Sequence, residues 1–141
     1  MKADFKNAYE RHQQDADSLF DGKRYANADH LYGLAAECAL KAVMKGLDPS
    51  LVDKNGDFLN QTDKKHIDKL WDHFRCFLQG RNASSLSAHI PGPNNPFNKW
   101  TVNSRYAHHK NFNKGNVLPH KLVVNNSIVN LMIEARARGI L

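Results

Sequence analysis

The sequence predicts an all-α fold, a single domain spanning residues 1–141 built as a bundle of four to five helices. Three observations predict it. Four segments repeat apolar residues at three- and four-residue spacing, which lines one face of a helix. No segment alternates apolar and polar residues as a half-buried strand does. Glycine or proline stands at the margin of each of the four, where helices begin or stop.

The first helix is expected from about Asp4 to Phe20, with Phe5, Ala8, Tyr9, His12, Ala16, Leu19 and Phe20 on its apolar face. Asp21-Gly22 supplies the turn, glycine taking the left-handed backbone that ends a helix cheaply. The second helix runs from about Tyr25 to Lys45 and is stopped by Gly46. Gly33, Ala35, Ala36 and Ala39 make one of its faces small enough for another helix to approach closely, in the same chain or in the second copy of a homodimer. Thr62 is the expected cap of a third helix to about Gln79, with Ile67, Leu70, Trp71, Phe74, Phe77 and Leu78 inward and Gly80 closing it. Residues 81–119 read as irregular: Pro91, Gly92, Pro93 and Pro96 argue against a long helix before about Asn98, and a short helical turn fits between Asn103 and Phe112. Pro119 begins the last helix, to about Gly139, because its missing N–H is not needed at a helix start.

Composition excludes several classes. With 41% hydrophobic and 24% charged residues the chain has the make-up of a globular domain rather than a disordered one. The longest weakly polar stretch, Tyr32 to Met44, is broken by Glu37 and Lys41, whereas a membrane span needs about 20 mostly apolar residues. Met1-Lys2-Ala3-Asp4-Phe5-Lys6 has no apolar run behind its charge and is no secretory signal. Cys38 and Cys76 fall in helical patterns without metal-ligand spacing, and read as buried, reduced thiols of a cytoplasmic protein.

Charge divides the chain. Residues 1–72 carry 11 Lys/Arg against 13 Asp/Glu; residues 73–141 carry nine against Glu134 alone. That second portion draws a polyanion or an acidic protein face, unless carboxylates of the first half cover it.

Signatures of common catalysis are absent: no Gly-rich phosphate loop, no Gly-x-Ser-x-Gly and no His-Glu-x-x-His. No cofactor and no metal is implied; His66 and His73 are seven apart on one helix, and the side chains of His108 and His109 are expected to diverge. Arg105-Tyr106-Ala107-His108-His109-Lys110 is the sharpest motif, since an arginine forks onto a phosphate and a histidine moves protons near neutral pH. The structural alternative has Arg105 in a salt bridge to the acidic half and Tyr106 in the core. Glu37 with Lys41 at i+4 reads first as a solvated ion pair, and second, with His30, as a polar groove.

The run from Ala28 to Ala42, with Ala36-Glu37-x-x-Leu40-Lys41 at its heart, resembles the signature helix of the HEPN superfamily. His66-Ile67-Asp68-Lys69-Leu70-Trp71 is similar to the His-x-x-x-Leu helix that follows it, and Trp100 with Arg105-Tyr106 resembles a segment before the last helix in some members. The resemblance implies an up-and-down bundle of four or five helices, often dimeric with its site at the dimer cleft. Many members are metal-independent ribonucleases using an arginine and a histidine separated by four to six residues; others bind RNA or partner toxins. Here three residues separate Arg105 from His109, and seven separate Arg81 of a second candidate, Arg81-Asn82, from His89.

The functional expectation is an RNA-directed protein of a bacterial conflict or toxin–antitoxin system with weak ribonuclease chemistry. Arg105 would hold a phosphate, and His109 or His108 would act as acid or base. Lys99, Trp100, Lys110 and Lys114 would seat the strand by charge and stacking. The alternative is a non-catalytic module, such as an immunity protein or antitoxin, docking an acidic partner.

Overall fold

A computed structural model describes residues 1–81, 83–90 and 92–141; Asn82 of the second arginine motif and Pro91 of the irregular segment lie outside the described residues. Five α-helices form a bundle: α1 (Phe5–Asp21), α2 (Tyr25–Leu47), α3 (Ile67–Gly80), α4 (Lys114–Leu122) and α5 (Val129–Ala137). A single antiparallel bridge, Val52 to Phe58, is the extent of β-pairing among the described residues. No described helix is long and apolar enough to cross a membrane.

Asp4 starts α1 by accepting the Asn7 N–H at 3.0 Å, satisfying one of the donors a helix start leaves open. The α1–α2 turn corrects the sequence expectation. Gly22 has an ordinary φ of −78°, and Lys23 takes the left-handed backbone instead, at φ 60°. α2 passes through Gly46 to Leu47, because Gly46 lies against Ile140 of the C-terminal residues, where a Cβ would overlap the Ile140 carbonyl. Close approach, not termination, is what that glycine provides. Its end falls at Asp48, whose carboxylate accepts the Ser50 N–H at 3.1 Å.

α3 begins later than Thr62. Thr62 is exposed, whereas Asp63 is buried and its carboxylate meets Nε2 of His73 at 2.7 Å, so these residues form a turn tied to the helix rather than its cap. The last helical run begins earlier than Pro119, at Lys114. Asn113 and Asn116 cap each other's backbone N–H groups at 3.0 and 2.9 Å, and Pro119 sits inside the helix. Between α4 and α5, Val123–Ile128 widens into a π-helical turn.

α2 is the central element, in contact with α1, α3, α4 and α5. Ala28, Ala35, Ala36 and Ala39 are fully buried, so the small-residue face is used within the chain and is not left for a second copy. Tyr32, Leu40, Met44, Ile67, Leu70, Trp71 and Phe74 complete the centre. Residues 83–112 add short 3₁₀ turns, Ser84–His89, Val102–Tyr106 and His109–Asn111, pinned to the bundle by buried Leu86, Ile90, Phe97 and Trp100. Both cysteines are free thiols. Cys38 is largely enclosed and burial pushes its thiol up to about 12. Cys76 is exposed, contrary to the expectation of two buried thiols, because it falls on the outer face of α3 opposite Phe74 and Phe77.

Asp17 joins α1, α2 and the last helical run. It accepts from the Tyr32 hydroxyl at 2.6 Å, Lys121 Nζ at 2.9 Å and Asn125 Nδ2 at 2.9 Å. Burial opposes its ionised form, but the bonds from Tyr32, Asn125 and Lys121 outweigh burial and hold the carboxyl below its ordinary 3.8. A lowered folded pKa stabilises the native state above the unfolded value, and that contribution disappears as pH falls through the folded one. Asp17→Asn is therefore expected to be less stable than wild type at neutral pH, with the gap closing below pH 3.8. Urea midpoints across that range check it, and a gap constant with pH would refute it.

Candidate functional site

The segment from Lys99 to Lys114 holds its cations outward by a series of local bonds. Trp100 is the inner end. Its indole rests on Gly33 of α2, and its Nε1–H donates to the Asp29 carbonyl at 3.0 Å. Thr101 then caps the Val102–Tyr106 turn, accepting the Asn103 N–H at 3.2 Å. His108 caps the next turn, its Nδ1 accepting the Lys110 N–H at 3.2 Å, and the Asn113–Asn116 pair opens α4. Each cap satisfies backbone donors locally, so the side chains between are free to face water.

Lys99, Arg105, Lys110 and Lys114 are all exposed, and none forms a salt bridge among the described residues. Three other cations of the C-terminal half are neutralised by carboxylates of the first half, Arg81 by Asp48 at 3.0 Å, Lys121 by Asp17 at 2.9 Å and Arg136 by Glu10 at 3.3 Å, whereas Arg75 donates to the Pro93 carbonyl at 3.3 Å. Carboxylates of the first half thus cover the flanks of the basic portion but not residues 99–114. Two concavities meet at Phe112. One, of about 360 Å³, is walled by Lys23, Arg24, Tyr25 and His109. The other, of about 320 Å³, is walled by Lys99, Trp100, Asp29 and His120. In the second, His120 Nδ1 lies 2.6 Å from the Asp29 carboxylate and its Nε2 lies 3.1 Å from the Pro96 carbonyl, so the acid at that wall is already engaged.

Several expectations need correction. Trp100 is 2% exposed and cannot stack on a base; a ring of that size is taken up by the space Gly33 leaves on α2. His108 and His109 do not diverge, their rings stacking at 4.5 Å between centroids, because His108 ends one extended stretch and His109 starts the following 3₁₀ turn. Arg105 makes no bridge to the acidic half, and Tyr106 is 76% exposed rather than in the core. Instead the guanidinium lies over the Tyr106 ring at 4.8 Å. His109 lines the 360 Å³ concavity and Arg105 does not, so the expected phosphate-holding arginine and acid–base histidine do not share a cavity. The second candidate is not assembled either. Arg81 is spent on Asp48 and on the Phe77 ring, 3.8 Å from its centroid, while His89 closes a different turn.

Of the expected His30–Glu37 pair, Glu37 gathers Lys41 and His66 about its carboxylate. Glu37 is 7% exposed, so its pair with Lys41 is buried rather than solvated. Lys41 Nζ donates to its Oε1 at 2.7 Å, and His66 Nδ1 meets its Oε2 at 3.0 Å. His30 stacks on Trp100, centroids 5.8 Å apart and planes within 14°. Its Nδ1 is buried without a hydrogen-bond partner. Burial and then the nearby Arg105 cation hold the His30 pKa below its ordinary value. His12 of α1, also lowered by burial and then by Arg11, is close enough to feel His30 and Glu37. Sequence reasoning missed His66 and His12 here. His66 was placed inside a helix with His73, whereas it is the residue before α3 begins, which turns it toward α2. Among the described residues no three His, Cys, Asp or Glu side chains are placed to hold a metal ion.

Comparison with models of protein families, with curated proteins and with solved structures gives no match to this chain.

Proposed function

We propose that this protein is an RNA-directed, HEPN-like domain of a bacterial conflict or toxin–antitoxin system, acting in the cytoplasm on single-stranded RNA. One observation carries the reading: Lys99, Arg105, Lys110 and Lys114 stay exposed without a salt bridge among the described residues, while Arg81, Lys121 and Arg136 are paired. Exposed cations that neutralise phosphates release the counterions condensed on the RNA, and that release drives binding. The two concavities either side of Phe112 give the bases and sugars a surface of mixed apolar and polar character. Weak metal-independent cleavage would need Arg105 on a phosphate and His109 at the sugar of the same linkage, and since the two do not share a cavity the reading carried here is binding.

Anisotropy titrations of a labelled single-stranded RNA at rising salt test it. Four phosphate contacts predict log affinity falling with log salt at a slope of about −3, and Lys110→Ala is expected to reduce its magnitude by about 0.7. A flat dependence, or no binding, overturns the proposal. Incubation of total RNA with EDTA, wild type against Arg105→Ala, reads the cleavage: products from wild type that the variant fails to make assign the chemistry to Arg105.

A further inference from the structure

We infer that the concavity of about 360 Å³ between the start of α2 and Phe112 seats one nucleotide of the bound strand, with Lys23 and Arg24 on its phosphate and Phe112 against its base. The inference rests on the RNA-binding reading above and adds to it two cations of the first half of the chain, outside the basic segment 99–114.

The cavity assembles its walls from two separate stretches. Lys23, Arg24 and Tyr25 come from the α1–α2 turn and the first residue of α2, and His109 and Phe112 bracket the short turn that packs on α2. Both cations have their backbone tied to the end of α1. The Lys23 N–H donates to the Phe20 carbonyl at 3.0 Å, and the Arg24 N–H donates to the Leu19 carbonyl at 2.8 Å. Across the cavity, the Phe112 N–H donates to the His109 carbonyl at 3.0 Å, so these two residues hold one another in place. Tyr25 and Phe112 are partly buried against the core, which fixes the apolar part of the wall.

The charge lining the cavity is of one sign. Lys23 and Arg24 are exposed, and neither forms a salt bridge among the described residues. No Asp or Glu lines it. Asp29, the carboxylate of the neighbouring concavity, is engaged by His120. Two cations gathered without a counter-charge suit a ligand with negative charge in a small volume, as a phosphate has. The rings add a second requirement. A phosphate alone needs no aromatic wall, whereas a nucleotide brings a base whose flat face stacks on a ring such as that of Phe112.

Size sets the number of units. A volume of about 360 Å³ stands at the low end of the roughly 300–1,000 Å³ of small-molecule sites, room for one nucleotide. The strand has a path onward. Lys110 follows His109, and Lys114 lies shortly after Phe112, both exposed, so phosphates of adjoining nucleotides meet charge outside the cavity. Counting charge along the sequence hides this site, because Lys23 and Arg24 belong to the portion where carboxylates outnumber cations.

Two probes test the inference: a short labelled oligouridylate, read by anisotropy over a salt series, and uridine monophosphate, read by backbone amide NMR. Arg24→Gln is expected to reduce the magnitude of the salt slope by about 0.7, the share of one phosphate contact on a single strand. Lys54→Gln removes an exposed cation that lines neither concavity, and should bind as wild type does. Phe112→Leu keeps an apolar side chain on the core but removes the ring, and is expected to weaken binding about tenfold with the slope unchanged. Thermal melts confirm that the variants fold. The second probe needs no variant: the monophosphate should shift the amides of Tyr25, Ala26, Asn27 and Phe112 saturably, and unphosphorylated uridine should leave them in place. Amides unmoved by the monophosphate, or an Arg24→Gln slope equal to that of wild type, overturn the inference. If Arg24→Gln and Phe112→Leu bind as wild type does while Lys110→Ala still loses slope, only this site is wrong. A wild type that does not bind the oligouridylate removes the functional reading and this inference with it.

Discussion

Gly33→Ala is expected to destabilise the protein by about 3 kcal/mol, the upper part of the range for overpacking a tight interior. A methyl group at that position would overlap three atoms of the Trp100 indole. The indole cannot simply retreat, because it is 2% exposed, bonded to the Asp29 carbonyl at 3.0 Å and stacked on His30. Moving it breaks that bond and disturbs the stack, and the turn bearing Arg105 would shift as well. The variant should therefore lose RNA affinity alongside stability. Gly80→Ala is the control. Nothing lies within 4 Å of a Cβ there, so its effect should be about 1 kcal/mol or less. Urea unfolding of the three proteins decides the matter; equal midpoints for wild type and Gly33→Ala would mean that Trp100 is not seated on α2.

This contact also shows how far the sequence is legible. The apolar periodicity located α1, α2 and α3 to within a few residues, because a helix must bury one face and these faces are written in Phe, Leu, Ile and Ala. The ends were misread where one residue has two uses. Gly46 looks like a terminator and is a contact for Ile140. Pro119 looks like a start and is internal, since the true start is an Asn113–Asn116 reciprocal cap without the familiar Ser/Thr–Glu pattern. At the site, the unneutralised cations followed from the missing carboxylates between Asp72 and Glu134. Where each Asp and Glu of the first half would go did not, because Asp17, Asp48 and Glu10 reach their partners across more than fifty positions of chain or, for Arg81, thirty-three. Trp100 was misassigned for the same reason. An indole among lysines reads as a base-stacking surface until the gap at Gly33, 67 positions earlier, is known to lie beneath it.

Glu37 and Lys41 carry the second large effect. At i and i+4 on an exposed helix such a pair contributes about 0.2–0.5 kcal/mol. Here both side chains are 9% exposed, and removing one partner leaves the other charge in a poorly hydrated place. Glu37→Met should consequently cost about 3–5 kcal/mol, because it strands the Lys41 ammonium and also deprives His66 of its acceptor. Lys41→Met should cost less, since the Glu37 carboxylate keeps His66 at 3.0 Å. The informative protein is the double variant with methionine at both positions. Replacing both charges by apolar side chains of similar length removes the desolvation penalty together with the attraction, so its stability should return to within about 1 kcal/mol of wild type. Chemical denaturation of the four proteins closes a double-mutant cycle, and the coupling energy should be several times that of a surface pair. Additive losses would instead place Glu37 and Lys41 in water, as an ordinary surface pair.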